Sequence, residues 1–226
     1  MSKPPYEFES EKQLRQKLGC KSTEAAANNF FNKKSETVND VVKDAVAGNT
    51  YRAFSHLPVK PSVAFREWAE NYITESFQLL CDITEASDYS KYVYEATDDL
   101  CDKWRRRTHS KMGFGRGAKL FNLVLKKFAC LSSLTEEQKN TLISLQHVPL
   151  DKYTIVGLRL VAPDLSIPKN ATMGYIDELN DELKHYEEFQ NVISKIAGKA
   201  RVPAIYYDIL AWNMSHSIQK PKLLRK

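Results

Sequence analysis

The residues best suited to chemistry lie in two short stretches. One is "KMGFGRGAKLFNLVLKKF" at 111–128, where Gly113, Gly115 and Gly117 alternate with Phe114 and Arg116 ahead of an apolar run of helical period. The other is "LQHVPLDKYTIVGLR" at 145–159, where Asp151 stands behind Pro-Leu at the start of a short helical pattern. Bare glycine amides leading into a helix start make an anion seat, because the N–H donors point outward and the helix dipole favours negative charge. Arg116 and Lys119 flank those donors, and Arg105, Arg106, Arg107 and Lys111 precede them. A nucleic-acid phosphate is the natural ligand, and a plain helix–helix turn is the alternative. A mononucleotide site is not indicated, since the stretch lacks the G-x-x-x-x-G-K-[ST] spacing and follows no strand.

Charge distribution supports the same reading. From Lys103 to Thr135 there are nine Lys or Arg residues and no Asp or Glu, whereas acids and bases are mixed elsewhere in a chain of net charge +5. A one-sign stretch in a mixed background suggests a surface that meets a polyanion; a solvated basic face with no partner is the alternative. Asp151 alone reads as a helix N-cap. Asp208, inside apolar "YYDILAW", must be either paired, with Arg159 or Arg201, or functional. His147, just before "VPLD", could touch a substrate or pack in a turn. Cys20, Cys81, Cys101 and Cys130 are far apart, form no C-x-x-C pair and read as small core residues, so no metal site is visible.

The elements that must position these groups are helical. No strand-like alternation bounded by turns occurs, and the fold reads as all-α, two-lobed, with a cleft between the lobes. Residues 1–9 read as a disordered lead-in, 10–60 as an N-terminal helical segment, and 61–226 as a helical core with a helix-hairpin-helix around 104–130 and C-terminal helices over 173–215. The stretch from Ser62 to Ile83 predicts one long helix, and "SLTEEQKNTLISL" opens on a Thr-x-x-Gln capping box. Pro203 suits the first turn of a late apolar helix, and a basic tail, "KPKLLRK", ends the chain. At 226 residues, 42% hydrophobic and 27% charged, the chain is an ordinary globular one. No apolar run could span a bilayer and no signal-peptide core is seen, so a cytoplasmic location without membrane contact is expected.

The two stretches together resemble the signature of the helix-hairpin-helix DNA glycosylase superfamily. In that family a Gly-x-Gly hairpin precedes a helix of the type Lys-Thr-Ala-Asn-Val-Val-Leu, and a short Val-Asp-Thr-His-Val-x-Arg segment then carries the catalytic Asp. Gly113 and Gly115 match the hairpin glycines, Asn122 to Leu125 match the following helix, and Asp151 matches the aspartate, over about 50 of the 226 residues. Lys119 falls near the lysine of the bifunctional members.

The resemblance implies a base-excising enzyme acting on double-stranded DNA, expected as a monomer with no cofactor. Asp151 would stabilise the positive charge that builds on the sugar as the glycosidic bond breaks, and would orient the attacking water. It would stay ionised through the helix dipole and backbone donors. Lys119 is the second candidate catalytic residue. Two extra residues in "GRGAK" set it off the family position, so hydrolysis is expected rather than lyase chemistry. Gly113, Phe114, Gly115, Arg116, Gly117, Lys111 and Arg107 would contact DNA. Tyr153, Tyr207, Asp208, Trp212 and His147, with Tyr206 or Phe114, would line the pocket for the flipped base. Small bacterial members of the superfamily remove modified cytosines from phage DNA, which the size of this chain would suit. A non-catalytic helical DNA-binding module and a defence accessory protein are the alternatives.

Overall fold

A computed structural model describes residues 4–217. Among them are eleven α-helices and no strand: α1 (Glu11–Leu18), α2 (Lys21–Phe31), α3 (Val38–Ala45), α4 (Pro61–Glu75), α5 (Phe77–Asp82), α6 (Ala86–Thr108), α7 (Phe114–Phe128), α8 (Glu136–Leu145), α9 (Lys152–Gly157), α10 (Glu182–Lys199) and α11 (Tyr206–Ser217). Short 3-10 turns cover Gly48–Phe54, Pro163–Leu165 and Ile176–Glu178. The basic tail over 220–226 and the first three residues of the expected lead-in lie outside the described residues.

Helix α7 organises the packing. Its apolar residues point in nearly every direction, so it must be covered on nearly every side. Leu120, Phe121, Val124, Leu125 and Phe128 join Val41, Phe65, Trp68, Leu100 and Trp104 in one hydrophobic cluster. Phe114 and Ala118 join Phe8, Leu14, Ile155, Tyr186, Phe189 and Tyr207 in a second. A third, with Ala27, Phe31, Ala129, Cys130, Ile143, Ile205 and Ile209, ties α2 to the end of α7 and the start of α11. Phe121 is fully buried, with ring centroids of Trp68, Tyr72 and Tyr92 at 5.5, 5.8 and 5.9 Å. Burial of one such side chain stabilises by about 1.5–3 kcal/mol.

Several sequence expectations need correction. Residues 4–9 are not a loose lead-in: Phe8 is fully buried, its amide donates to Gly157 O, and the Tyr6 amide donates to Ser215 Oγ at 2.9 Å. The boundary near residue 60 separates no packing units, since Val41 and Val42 of α3 share a cluster with Trp68 and Phe121. The helix expected over 62–83 breaks at Ser76, whose hydroxyl donates to Tyr72 O at 2.6 Å and meets the Tyr92 hydroxyl at 2.8 Å. That side chain competes with the helical backbone for its own carbonyls. Pro203 precedes α11 rather than sitting in its first turn. The Thr135–Gln138 capping box is present as the spacing predicts.

Cysteine placement also differs in part. Cys81 and Cys130 are buried, but Cys20 and Cys101 are only half-buried. Burial pushes the Cys20 thiol up, yet the Ser22 and Thr23 hydroxyls and amides outweigh it and bring the thiol down to about 7.

The glycine segment is the largest correction. The turn between α6 and α7 is made by His109, in the left-handed region at φ 55°, and by 110–113, while Gly115 and Gly117 lie inside α7. No described glycine has a positive φ, so these residues serve close packing rather than a tight reversal. A Cβ on Gly113 would stand 2.2 Å from Asp177 Cγ, and one on Gly115 would stand 2.6 Å from Ile176 Cβ. Gly117 faces Cys101 and Thr97 of α6.

Gly115→Ala should therefore destabilise the fold by about 1–3 kcal/mol, the usual cost of forced overpacking. Gly198→Ala, inside α10 with nothing within 4 Å of the added methyl, should stabilise it by about 0.5–1 kcal/mol. Urea unfolding of the two variants checks both. Equal effects would mean that close approach is not what Gly115 is for.

Candidate functional site

Two helix faces meet across an open cleft of about 1160 Å³. Lys119, Leu123 and Lys126 follow one another at helical spacing on α7, and Asp208, Ile209, Trp212, Asn213 and His216 do the same on α11. Asp151 and Tyr153, at the start of α9, also line the cleft. Asn29 and Phe30 of α2, Lys33 just beyond its end, and Thr50 and Arg52 from the 3-10 turn line it too, as do Thr172 and Met173.

Asp151 is the N-cap of α9. Its Oδ1 accepts from the Tyr153 amide at 2.8 Å and the Thr154 amide at 3.2 Å, while its own amide donates to Thr154 Oγ1 at 2.8 Å. Thr154 Oγ1 in turn donates to Pro149 O at 3.0 Å, so the cap is rigid from both sides. Beneath it, the fully buried Tyr207 hydroxyl donates to Thr154 O at 2.7 Å. Asp151 is half-buried and lines the cleft.

Burial pushes the Asp151 carboxyl up, and the nearby Asp208 adds to that; the Lys119 ammonium and the two amide donors oppose it. The net direction is upward. The dipole and backbone donors expected to keep it ionised are thus opposed by loss of solvent inside the cleft. Lys119 is 7% exposed, and burial pulls it down against the favourable fields of Asp151 and Asp208. Its Nζ lies 3.5 Å from Met173 Sδ, a weak acceptor. The acid is thus made weaker and the ammonium more acidic, which narrows the gap between them. Such pairs are suited to proton transfer and, for the lysine, to nucleophilic attack.

Asp208 pairs with neither arginine foreseen for it. Lys126 Nζ sits 2.6 Å from Asp208 Oδ2 and 4.3 Å from the Phe30 ring centroid. Arg159 instead pairs with Glu7. At the mouth, Trp212 is 48% exposed and stacks on His216 at 3.9 Å, with Tyr153 edge-on at 5.3 Å.

The cleft brings together Asp151, Lys119, Tyr153, Asp208 and Trp212. The other foreseen residues lie elsewhere. His147 is in a buried network: the Tyr186 hydroxyl accepts from Asn122 Nδ2 at 2.7 Å and lies 3.0 Å from His147 Nδ1, and Ser90 Oγ lies 3.1 Å from Nε2. Burial pulls that imidazole down to about 4. Tyr207 supports α9 from below rather than lining the cleft. Tyr206 packs against the cluster between α2 and α11. Phe114 is buried against Tyr186 at 5.4 Å.

The anion seat foreseen at Gly113, Gly115 and Gly117 is already filled. The Phe114 amide donates to Glu182 Oε2 at 2.5 Å and the Arg116 amide to Asp177 Oδ1 at 3.1 Å. The flanking cations go to the same acids: Arg116 lies 3.2 Å from Asp177 and Lys111 3.4 Å from Glu182. Arg107 pairs with Glu67 at 2.5 Å, on a separate groove lined by Trp68, Tyr72 and Trp104.

Lys126, Lys33, Arg52 and Lys152 were not foreseen as cleft residues. For Lys126 the signal was available, because it lies seven positions after Lys119 on one helix face. Lys33 and Arg52 carry no local pattern, since only tertiary packing brings the N-terminal segment to the cleft. Among the described residues no group of three or more metal-ligating side chains stands together, and no helix is long and apolar enough to cross a membrane.

Burial pushes Asp177 up to about 6, against the Arg116 guanidinium and the backbone donors. A carboxyl that holds its proton more tightly when folded stabilises fully below its unfolded value, and that contribution is lost as pH rises through the folded one. Asp177→Asn does not titrate, so its melting temperature relative to the parent should rise between about pH 4 and about pH 7. A difference that stays flat over this range would show that Asp177 is not held in this way. In comparisons with known proteins, no family model, no curated protein and no solved structure matches the chain.

Proposed function

We propose that the chain is a DNA N-glycosylase that takes a flipped base into this cleft and releases it, leaving an abasic site. The observation that carries the reading is the meeting of Asp151 and Lys119, from separate helices, in a cleft that also holds Tyr153, Asp208 and an exposed Trp212. A cleft of about 1160 Å³ has room for a nucleotide and part of its strand. Breaking the N-glycosidic bond builds positive charge on the sugar, and Asp151 is the carboxylate that answers it and takes the proton of the attacking water. Trp212 and Tyr153 offer aromatic surface to the extruded base, and Asp208 with Lys126 offers an acceptor and a donor to its edge. The substrates to test first are duplexes with modified cytosines, the class removed by the small bacterial enzymes that the sequence resembles. The protein would act on them as a cytoplasmic monomer.

A second reading of the same cleft is favoured by Lys119. A buried lysine pulled down in pKa is a nucleophile in waiting, able to attack the sugar carbon and expel the base as an imine forms. Borohydride separates the two, since reduction of that imine would leave protein covalently joined to DNA.

Asp151→Asn should lower abasic-site formation by about 100-fold or more while duplex binding survives. Alkali cleavage of end-labelled duplexes carrying different modified bases reads the first quantity, and fluorescence anisotropy reads the second. Base release at the parent rate in Asp151→Asn would sink the mechanism. A covalent adduct that forms with borohydride and disappears in Lys119→Met would replace hydrolysis with lyase chemistry.

A further inference from the structure

We infer that the DNA backbone is gripped by the N-terminal wall of the cleft, through Lys33 and Arg52, and not by the glycine segment ahead of α7. The inference rests on the glycosylase reading for its ligand and extends it by naming the strand-binding surface. At the glycine segment, the Phe114 and Arg116 amides are bonded to Glu182 and Asp177, and Lys111 and Arg116 pair with the same two carboxylates. Two cations against two acids leave no excess charge there. Ile176 and Asp177 also fill the space above Gly113 and Gly115 where a phosphate would have to stand.

The cleft has the opposite balance. Lys33, Arg52, Lys119, Lys126 and Lys152 face Asp151 and Asp208, five positive groups against two negative, an excess of three. The inner carboxylates are matched from within: Lys126 pairs with Asp208 at 2.6 Å, and Lys119 is the main positive field at Asp151. Neither inner carboxylate is matched by Lys33 or Arg52. Lys33 and Arg52 are both exposed, and no carboxylate is within ion-pair distance of either among the described residues.

Both are held at fixed points. Arg52 lies between Tyr51 and Phe54, whose buried rings pack on Phe65 at 6.1 Å and Trp104 at 4.9 Å. Lys33 follows Phe31, which is buried in the third cluster, and precedes Ser35, whose amide donates to Cys130 O at 2.9 Å. Exposed cations on an anchored backbone, lining the same cleft as Asp151 and Trp212, fit the phosphates on either side of an extruded nucleotide.

The test is the salt dependence of binding to a fluorescein-labelled duplex, with base release followed in parallel. Each phosphate contact contributes about 0.9 to the slope of log affinity against log salt, so Lys33→Ala with Arg52→Ala should flatten it by about 1.8 and weaken binding on the order of 10-fold or more. The charge-conserving pair Lys33→Arg with Arg52→Lys should keep the parent slope. Arg105→Ala with Arg106→Ala, at the exposed end of α6 beside the glycine segment, should also leave it unchanged. An unaltered slope in the first pair, or an equal loss in the α6 pair, overturns the inference. Base release with a slope indifferent to Lys33 and Arg52 overturns this grip alone. Binding that depends on them without release of any base overturns the glycosylase reading and leaves the grip standing.

Discussion

Helix α7 has to be buried on nearly every side and still carry a lysine, and the rest of the architecture follows from meeting both demands. Leu120, Phe121, Val124, Leu125 and Phe128 draw α3, α4 and α6 onto one face, while Phe114 and Ala118 meet α10 and the N-terminal segment. The strip that lines the cleft is Lys119, Leu123 and Lys126, with α11 and the start of α9 beside it. A buried ammonium would be costly without compensation, so Asp151 and Asp208 contribute to the stability of the fold. The same desolvation that makes Lys119 expensive also moves its proton affinity toward a useful range.

Asp151 shows how capping and burial combine. Two amides and the Thr154 hydroxyl set its position, and Tyr207 and Phe8 hold the helix beneath it. Gly157 is needed there because an added Cβ would come within 2.5 Å of the Tyr207 hydroxyl. The carboxyl is thus fixed by the backbone of a six-residue helix whose own place is fixed from the opposite end of the chain. Local sequence sets the cap, and long-range packing sets the dielectric around it.

That division explains what could be read in advance. The all-helical class, the Asp151 cap and the Thr135 capping box were legible because each depends on residues within a turn or two of one another. Asp151, Lys119, Asp208, Tyr153 and Trp212 were named from residue type and resemblance, and the fold gathers all five. His147 and Tyr207 fall outside the cleft, which sequence could not show because an aromatic or imidazole ring near a site looks the same whether it faces the cleft or the core. Here the deciding facts are hydrogen bonds to residues far along the chain, Tyr186 for one and Thr154 for the other. The break at Ser76 was hidden because the apolar spacing runs through it unchanged; only a hydroxyl bonded back to its own helix marks the kink.

Charge was the least legible property, for a reason that applies beyond this chain. Of the nine cations between Lys103 and Thr135, six meet carboxylates, from Asp99, Asp102, Glu67, Glu182, Asp177 and Asp208. All six acids lie outside that stretch or at its edge, so a one-sign segment in sequence becomes a mixed surface in space. The helix start that looked like a phosphate seat obeys the same physics with a different anion. Its donors and dipole favour negative charge without regard to source, and carboxylates tethered in the same chain act at a high effective concentration. A phosphate arriving at α7 would have to displace both Asp177 and Glu182 and leave Ile176 no room, whereas at the cleft it would meet Lys33 and Arg52, both exposed. The positive field of the cleft is assembled by tertiary contact, which brings Lys33 and Arg52 of the N-terminal segment to the Lys119–Lys126 face of α7.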